Sequence, residues 1–461
     1  MRRLVVVSNR VADLSKTTQS GGLAVGLADS LKSRGGVWVG WDGARASDAE
    51  APLEPRTQTF GDVTSVTIPL TEEDYQEYYL GFSNSVLWPL FHYRLDLVEY
   101  RTAFMEGYRR VNAKFADALT PLLRPDDLVW VHDYHLLPLA AELRKRGCRQ
   151  RTGFFLHIPF PSPDILAAVP RHRWLVESLL EFDVIGFQTH TDLGNLHRYA
   201  EDHLGIALAD ESTLRFRDRT VVTGCFPIGI DVDAFVAMAE TPVEAVQIEQ
   251  MRRKILGRKQ IIGVDRLDYT KGLPDRLRAF ERLLELYPDM RKTVALMQIA
   301  TPTRQDVDAY AEIRAELEAL SGKINGRFAD FNWTPVRYIH RAVPREALAA
   351  LFRASQVGFV TPLRDGMNLV AKEYVAAQDP DDPGVLVLSK FAGAAEDLRE
   401  ALIVNPYDVD DMARSLHRGL TMARDERQER QAALMRRIRR HDAKAWLDGF
   451  LAAMEDDAAA A

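Results

Sequence analysis

Hydrophobic positions in this chain fall into short β-branched runs, separated by longer stretches whose apolar residues recur at helical spacing. Runs at Leu4 to Ser8, Val37 to Trp41, Val63 to Ile68, Leu128 to Val131, Gly153 to His157, Val184 to Gln188 and near Val221 to Pro227 predict a first series of strands. A second series is predicted at Ile261 to Val264, Thr293 to Ile299, Val336 to Ile339, Val357 to Thr361, Val385 to Leu388 and Ala401 to Val404. Such alternation of strands with amphipathic helices predicts an α/β fold of parallel sheets with helices on both faces. The stretch from Gly229 to about Gln247 falls between the two series, so two domains are expected, at residues 1–235 and 236–440. Helical periodicity after Asp408, including Trp446 and Phe450, predicts terminal helices that pack back, from about residue 440, on the first domain.

Length agrees with this division: 461 residues exceed the roughly 250 to 300 at which one hydrophobic core stops growing. A hydrophobic share of 46% excludes a disordered chain. The formal charge of -7 argues against nucleic acid as the main partner, so any phosphate site must be local. The basic stretch Arg436, Arg437, Arg439, Arg440 and Lys444 reads as a solvated helix face. Cys148 and Cys225 show no metal-ligand or CxxC spacing, which suits a reducing cytoplasm. The apolar run in MRRLVVVSNR is too short for a signal peptide or a spanning helix, so no membrane association is expected. The oligomeric state is left open.

Open parallel sheets bind ligands beyond the carboxyl ends of their strands, and two facing domains of this kind would leave a cleft between them. The first strand ends in Ser8, Asn9 and Arg10, and Gly21 and Gly22 follow at the head of a helix, where backbone amides favour an anion. Behind the strand Leu128 to Val131 come His132, Asp133, Tyr134 and His135, and the run Gly153 to His157 leads into Ile158 and Pro159. These polar clusters suit sugar hydroxyls, although histidines that only satisfy buried hydrogen bonds remain an alternative. In the second domain Arg266 and Lys271 sit five apart on a strand-to-helix loop, where both cations can converge on one diphosphate. The densest run is TPLRDGMNLVAKEYVAAQ: Gly366 permits tight geometry, amides from Met367 to Leu369 can meet an anion, and Glu373 can accept from a ribose diol. Acidic DxD patterns begin at Asp231, Asp306, Asp379 and Asp408, in settings too different to form one clamp. Arg266 and Lys271 can neutralise a leaving diphosphate, so neither a metal nor a cofactor is expected.

SNR with GGLAVGL, the EYY at Glu77 to Tyr79, VLWPLFHY, HDYHL, FFLHIPFP, DRLDYTKG and TPLRDGMNLVAKEYVAAQ together resemble the trehalose-6-phosphate synthases, retaining glycosyltransferases of family 20. The resemblance runs in order from Leu4 to about Pro406. It implies a GT-B fold of two Rossmann-like domains and transfer of glucose from UDP-glucose to glucose 6-phosphate. On this resemblance Arg10, Tyr79 and Arg304 would hold the acceptor phosphate, and Trp88 and Asp133 the acceptor ring. Gly22 would approach the donor diphosphate, with Gly21 beside it, and Arg266 and Lys271 would clamp it. Asp365 and the segment Met367, Asn368, Leu369 and Val370 would hold the glucose, Glu373 the ribose, and Val343 would lie near the base. His157 would lie beside the donor glucose, and Asp133 would be the candidate nucleophile were there one. Val343 is smaller than the aromatic residue frequent in relatives, which leaves GDP- or ADP-glucose open as donors. Two rival readings are a glucosylglycerol-phosphate synthase, which would use glycerol 3-phosphate, and a sensor that binds both ligands without turnover.

Overall fold

The computed structural model describes residues 2–11, 31, 35–46, 54–241, 257–303 and 308–456. By its internal contacts the chain divides into two compact units: residues up to Pro227 together with those from Trp446 onward, and Ile228–Ala445. These limits stand a few residues from the 235/236 and 440 of the sequence expectation.

The first unit is built from β1 (Leu4–Arg10), β2 (Gly36–Trp41), β3 (Arg45–Ala46), β4 (Arg56–Phe60), β5 (Val63–Thr67), β6 (Leu70–Thr71), β7 (Leu128–His132), β8 (Arg151–Phe155), β9 (Val184–Phe187), β10 (Leu208–Asp210), β11 (Thr213–Phe216) and β12 (Arg219–Cys225). Its main sheet has the order β10-β11-β12-β9-β8-β7-β1-β2-β5-β4. The strands from β12 across to β5 run parallel, while β4, β10 and β11 extend the edges antiparallel. Every residue of β2 and β7 is buried, as expected where helices cover both faces of a parallel sheet.

The second unit contains β13 (Lys259–Arg266), β14 (Val294–Thr301), β15 (Val336–Ile339), β16 (Val357–Val360), β17 (Val385–Ser389) and β18 (Leu402–Val404), all parallel in the order β15-β14-β13-β16-β17-β18. Both sheets reverse their winding at one place, between β1 and β7 in the first and between β13 and β16 in the second. There the connecting segments leave toward opposite faces and open a crevice at the carboxyl ends of the strands.

The last helix, Ala443–Glu455, returns to the first unit. It buries Trp446, Phe450, Leu451 and Met454, with Phe450 stacked 4.9 Å from Trp130 and Trp446 at 5.1 Å from it. A side chain at Gly153 or Gly186 would collide with Met454 or Phe450, each 2.6 Å from the added Cβ, so these strand glycines admit the helix onto the sheet. Among the described residues no helix is long and apolar enough to cross a membrane.

Candidate active site

In the first unit the chemistry collects at the β1/β7 switch point. The Ser8 hydroxyl at the end of β1 donates to the Arg10 carbonyl (2.7 Å) and accepts from the Trp38 indole (2.8 Å). Asn9 accepts from the Tyr78 hydroxyl at 2.9 Å. With its neighbours so fixed, Arg10 reaches into solvent while its guanidinium lies 4.8 Å over the Trp41 ring. From Trp41 a continuous aromatic wall runs through Tyr79 (5.5 Å), His135 (6.0 Å), Tyr134 (4.0 Å) and Trp88 (5.7 Å). Trp88 is only 4% exposed, so its ring belongs mostly to that wall.

Tyr79 stands on a π-helical segment, Tyr75–Leu87, that continues directly into the short helix Trp88–Phe91. Wider winding leaves carbonyls to be met from five residues ahead: the Asn84 amide donates to the Tyr79 carbonyl (2.7 Å) and the Ser85 hydroxyl to that of Leu80 (2.8 Å). Tyr134 in turn donates its hydroxyl to Asn84 at 3.0 Å, which ties this segment to the loop after β7.

That loop begins with Asp133 at φ 73°, ψ 166°, a backbone conformation that costs a non-glycine residue about 1–3 kcal/mol. Hydrogen bonds hold it there: the Asp133 amide donates to the Phe155 carbonyl (2.8 Å), its carbonyl accepts from the Leu136 amide (3.1 Å), and its carboxylate accepts from the His157 amide (3.4 Å). His132 Nδ1 and His157 Nε2 lie 3.1 Å apart with the rings stacked. Although His157 keeps some exposure, its dense surroundings strip the imidazolium of solvation and lower its pKa to about 3. Burial, then repulsion from His157, holds His132 well below the usual histidine value.

The second unit repeats the plan at its β13/β16 switch point. Arg266 ends β13 exposed, and the chain enters a 3-10 turn, Tyr269–Lys271. Gly272 follows with φ 62° and opens the helix Leu273–Leu286. Beneath it Arg276, wholly buried, donates to Asp265 (2.5 Å), Gln298 (3.1 Å) and Thr361 (3.2 Å), which joins the starts of both loops. The Lys271 ammonium meets the Asp365 carboxylate at 2.5 Å, and the Asn368 amide donates to the same oxygen at 3.0 Å. Asn368, at φ 77°, caps the helix Leu369–Ala377 by accepting from the Ala371 amide. The loop is clamped from the other side: Asp365 donates to the Phe391 carbonyl, Gly393 to that of Asp365 and Ala394 to that of Met367. Met367 is buried, whereas Leu369 and Val370 are partly exposed at the helix start. Burial raises the Glu373 pKa, opposed by Arg345, whose guanidinium stands 3.4 Å away. Val343 is half-buried two residues before Arg345, at the entry to the helix Arg345–Arg353.

A model of glycosyltransferase family 20 matches residues 3–456. The chain belongs to glycosyltransferase family 20. A trehalose-6-phosphate synthase from Enterobacter sp. (strain 638) is 49% identical over 452 residues, 98% of this chain and 94% of that protein. Among solved structures, a UDP-forming α,α-trehalose-phosphate synthase from Burkholderia xenovorans in complex with glucose-6-phosphate is 50% identical, with a TM-score of 0.93 over 98% of this chain and all of that one. An E. coli chain bound with UDP-2-fluoro glucose is 46% identical, with a TM-score of 0.94 over 98% of this chain and 99% of that one. The fold is therefore GT-B, with two Rossmann-like units.

In this family-20 chain the residues expected from sequence fall into two groups within the described structure. Arg10, Tyr79, Trp88, Asp133 and His157 gather in the first unit, and Arg266, Lys271, Val343, Asp365, Met367, Asn368, Leu369, Val370 and Glu373 lie in the second. Gly21, Gly22 and Arg304 lie outside the described residues. No three His, Cys, Asp or Glu side chains group as a metal site among the described residues. Sequence reasoning passed over Trp41, though it ends β2 as Arg10 ends β1, and over Arg345, signalled by its place just after Pro344 at a helix start. It also passed over Lys372, which burial lowers to a pKa of about 8; its ammonium donates to the Ile228 carbonyl (2.9 Å) and stands 3.7 Å from Asp397. A lysine beside a chosen glutamate gives no sequence signal that it points inward.

Proposed function

We propose that this family-20 enzyme transfers glucose from UDP-glucose to glucose 6-phosphate, giving α,α-trehalose 6-phosphate and UDP with the donor's configuration retained. One observation carries the reading: each sheet's switch point holds its own cationic loop, Arg10 among aromatic rings in one and Arg266 with Lys271 in the other. Two phosphate-bearing substrates call for that pairing, and relatives nearly half identical along the whole chain bear the synthase name.

On the donor side Arg266 and Lys271 hold the diphosphate, Asp365 and the 367–370 segment hold the glucose, Glu373 accepts from the ribose, and Val343 borders the base. Arg10, Tyr79 and Arg304 take the acceptor phosphate, and Trp88 with Asp133 orients its ring. In the reaction the bond from glucose C1 to the diphosphate oxygen breaks while the acceptor hydroxyl oxygen bonds to C1 on the same face. The acceptor's proton passes to the departing diphosphate, whose growing charge falls on Lys271 and Arg266. Asp133 then orients and does not bond to the sugar. Holding both substrates side by side on that face contributes about 7 to 11 kcal/mol.

UDP release from UDP-glucose, measured with either acceptor and with or without EDTA, tests this reading. Turnover is expected with glucose 6-phosphate, not with glycerol 3-phosphate, and at the same rate in EDTA. Turnover with glycerol 3-phosphate alone would overturn the acceptor, and loss in EDTA would give a divalent cation part of the task assigned to the two cations.

A further inference from the structure

His132 ends β7 with its ring sealed in the first unit, 1% exposed, between Trp130 (4.6 Å) and His157 (5.4 Å), with Trp446 at 6.3 Å. Both histidines are neutral near pH 7, since burial pulls each far below its ordinary pKa. A neutral imidazole has one N–H and one bare nitrogen, so the 3.1 Å contact between His132 Nδ1 and His157 Nε2 contains a single proton.

Two arrangements satisfy that contact, and they differ at the far nitrogen of His132. If His157 donated, His132 would carry its proton on Nε2, which is buried with no hydrogen-bond partner among the described residues. The polar groups of the neighbouring Trp130 and Trp446 are indole N–H donors, themselves without an acceptor among the described residues, and can take nothing from another N–H. If His132 donated, Nε2 would be a bare acceptor, which a buried site tolerates better than an orphaned N–H.

We propose that His132 is a positioning residue whose Nδ1–H donates to His157 Nε2, so that His157 is fixed as the tautomer bearing its proton on Nδ1. His157 then offers a hydrogen bond rather than accepting one. This consequence rests on the reading above that His157 lies beside the donor glucose: the Nδ1–H would meet a sugar oxygen, and the ring could not act as a base through that nitrogen.

Nitrogen NMR of the full, ligand-free chain labelled at histidine with 15N reads the tautomer without any substrate. His157 is expected to show a protonated, pyrrole-type Nδ1 and a bare, pyridine-type Nε2, and the reverse assignment would overturn the proposal. His132→Phe keeps a ring in the core but removes the donor. It should leave His157 a mixture of tautomers and lower kcat/KM for UDP-glucose about tenfold or more, in the range of lost supporting contacts, while KM for glucose 6-phosphate changes little. A His157 tautomer unaltered in that variant would equally reject the role, and should the variant not fold, the parent spectrum still decides. If the spectrum is as expected but His157→Ala leaves donor kinetics untouched, the placement of His157 at the donor fails while its pairing with His132 stands.

Discussion

Lys271 and Asp365 meet at 2.5 Å with only 10% and 15% of their side chains exposed. Removing two charges from water offsets most of their attraction, so the pair contributes position more than stability. On the proposed reading, a lysine so held beside Asp365 is available to charge that develops on the leaving diphosphate. Lys271→Ala is therefore expected to lower kcat roughly 10²- to 10³-fold, the usual loss for one donor aimed at a developing anion, with KM for glucose 6-phosphate little altered. Steady-state kinetics with each substrate varied would check it, and an undiminished kcat would remove Lys271 from the chemistry. The polarity of such residues was legible in the chain, because charges placed directly after apolar runs announce strand-end loops. Which charges meet was not. That Lys271 finds Asp365, 94 positions away, or that Glu373 faces Arg345, depends on how two separate loops close over one sheet.

The segment from Arg266 to the helix Leu273–Leu286 works as one element: strand, 3-10 turn, glycine, helix. Gly272 sits at φ 62°, and a Cβ there would lie 2.6 Å from the Thr361 carbonyl oxygen. Gly272→Ala thus adds backbone strain to a collision with main chain that has little room to shift, a cost of about 1–3 kcal/mol. A lower Tm together with slower turnover is expected, because Lys271 is the preceding residue; an unchanged Tm would refute the strain. Strands were the elements best read from sequence: each predicted run lies within or overlaps an observed parallel strand, and central ones such as β2, β7 and β17, buried at every residue, are marked most clearly by their apolar runs. The short or peripheral strands β3, β4, β6, β10 and β11 were not predicted. All five residues of β4 lack full burial and β10 is exposed throughout, so no apolar pattern marks those two, while β11, which buries Leu214 and Phe216, is too short for its alternation to stand out. The π-helical turns of Tyr75–Leu87 were equally silent, because side chains from Asn84, Ser85 and Tyr134 stabilise that winding.

Across the whole molecule the chain's last helix completes the first unit's core rather than that of the second, which precedes it in sequence. Phe450, with no exposed surface, touches Trp130, Phe155 and Phe226. Phe450→Ala should cost about 3–5 kcal/mol, read as a lower urea midpoint, and a loss under about 1 kcal/mol would mean the helix contributes little. Trp446 and Phe450 already signalled an apolar helix face in the sequence, but their partners, Gly153 and Gly186, read only as small residues within strands. By itself the sequence determined the α/β class, the two series of strands and the charged loops that follow them, because burial period and strand-end polarity are local properties. Only the tertiary structure decided the winding order that places β1 beside β7 and β13 beside β16, the strained backbone of Asp133 and the proton-sharing contact of His132 with His157. Those depend on contacts between residues distant in the chain, whose energies have no counterpart in any single segment.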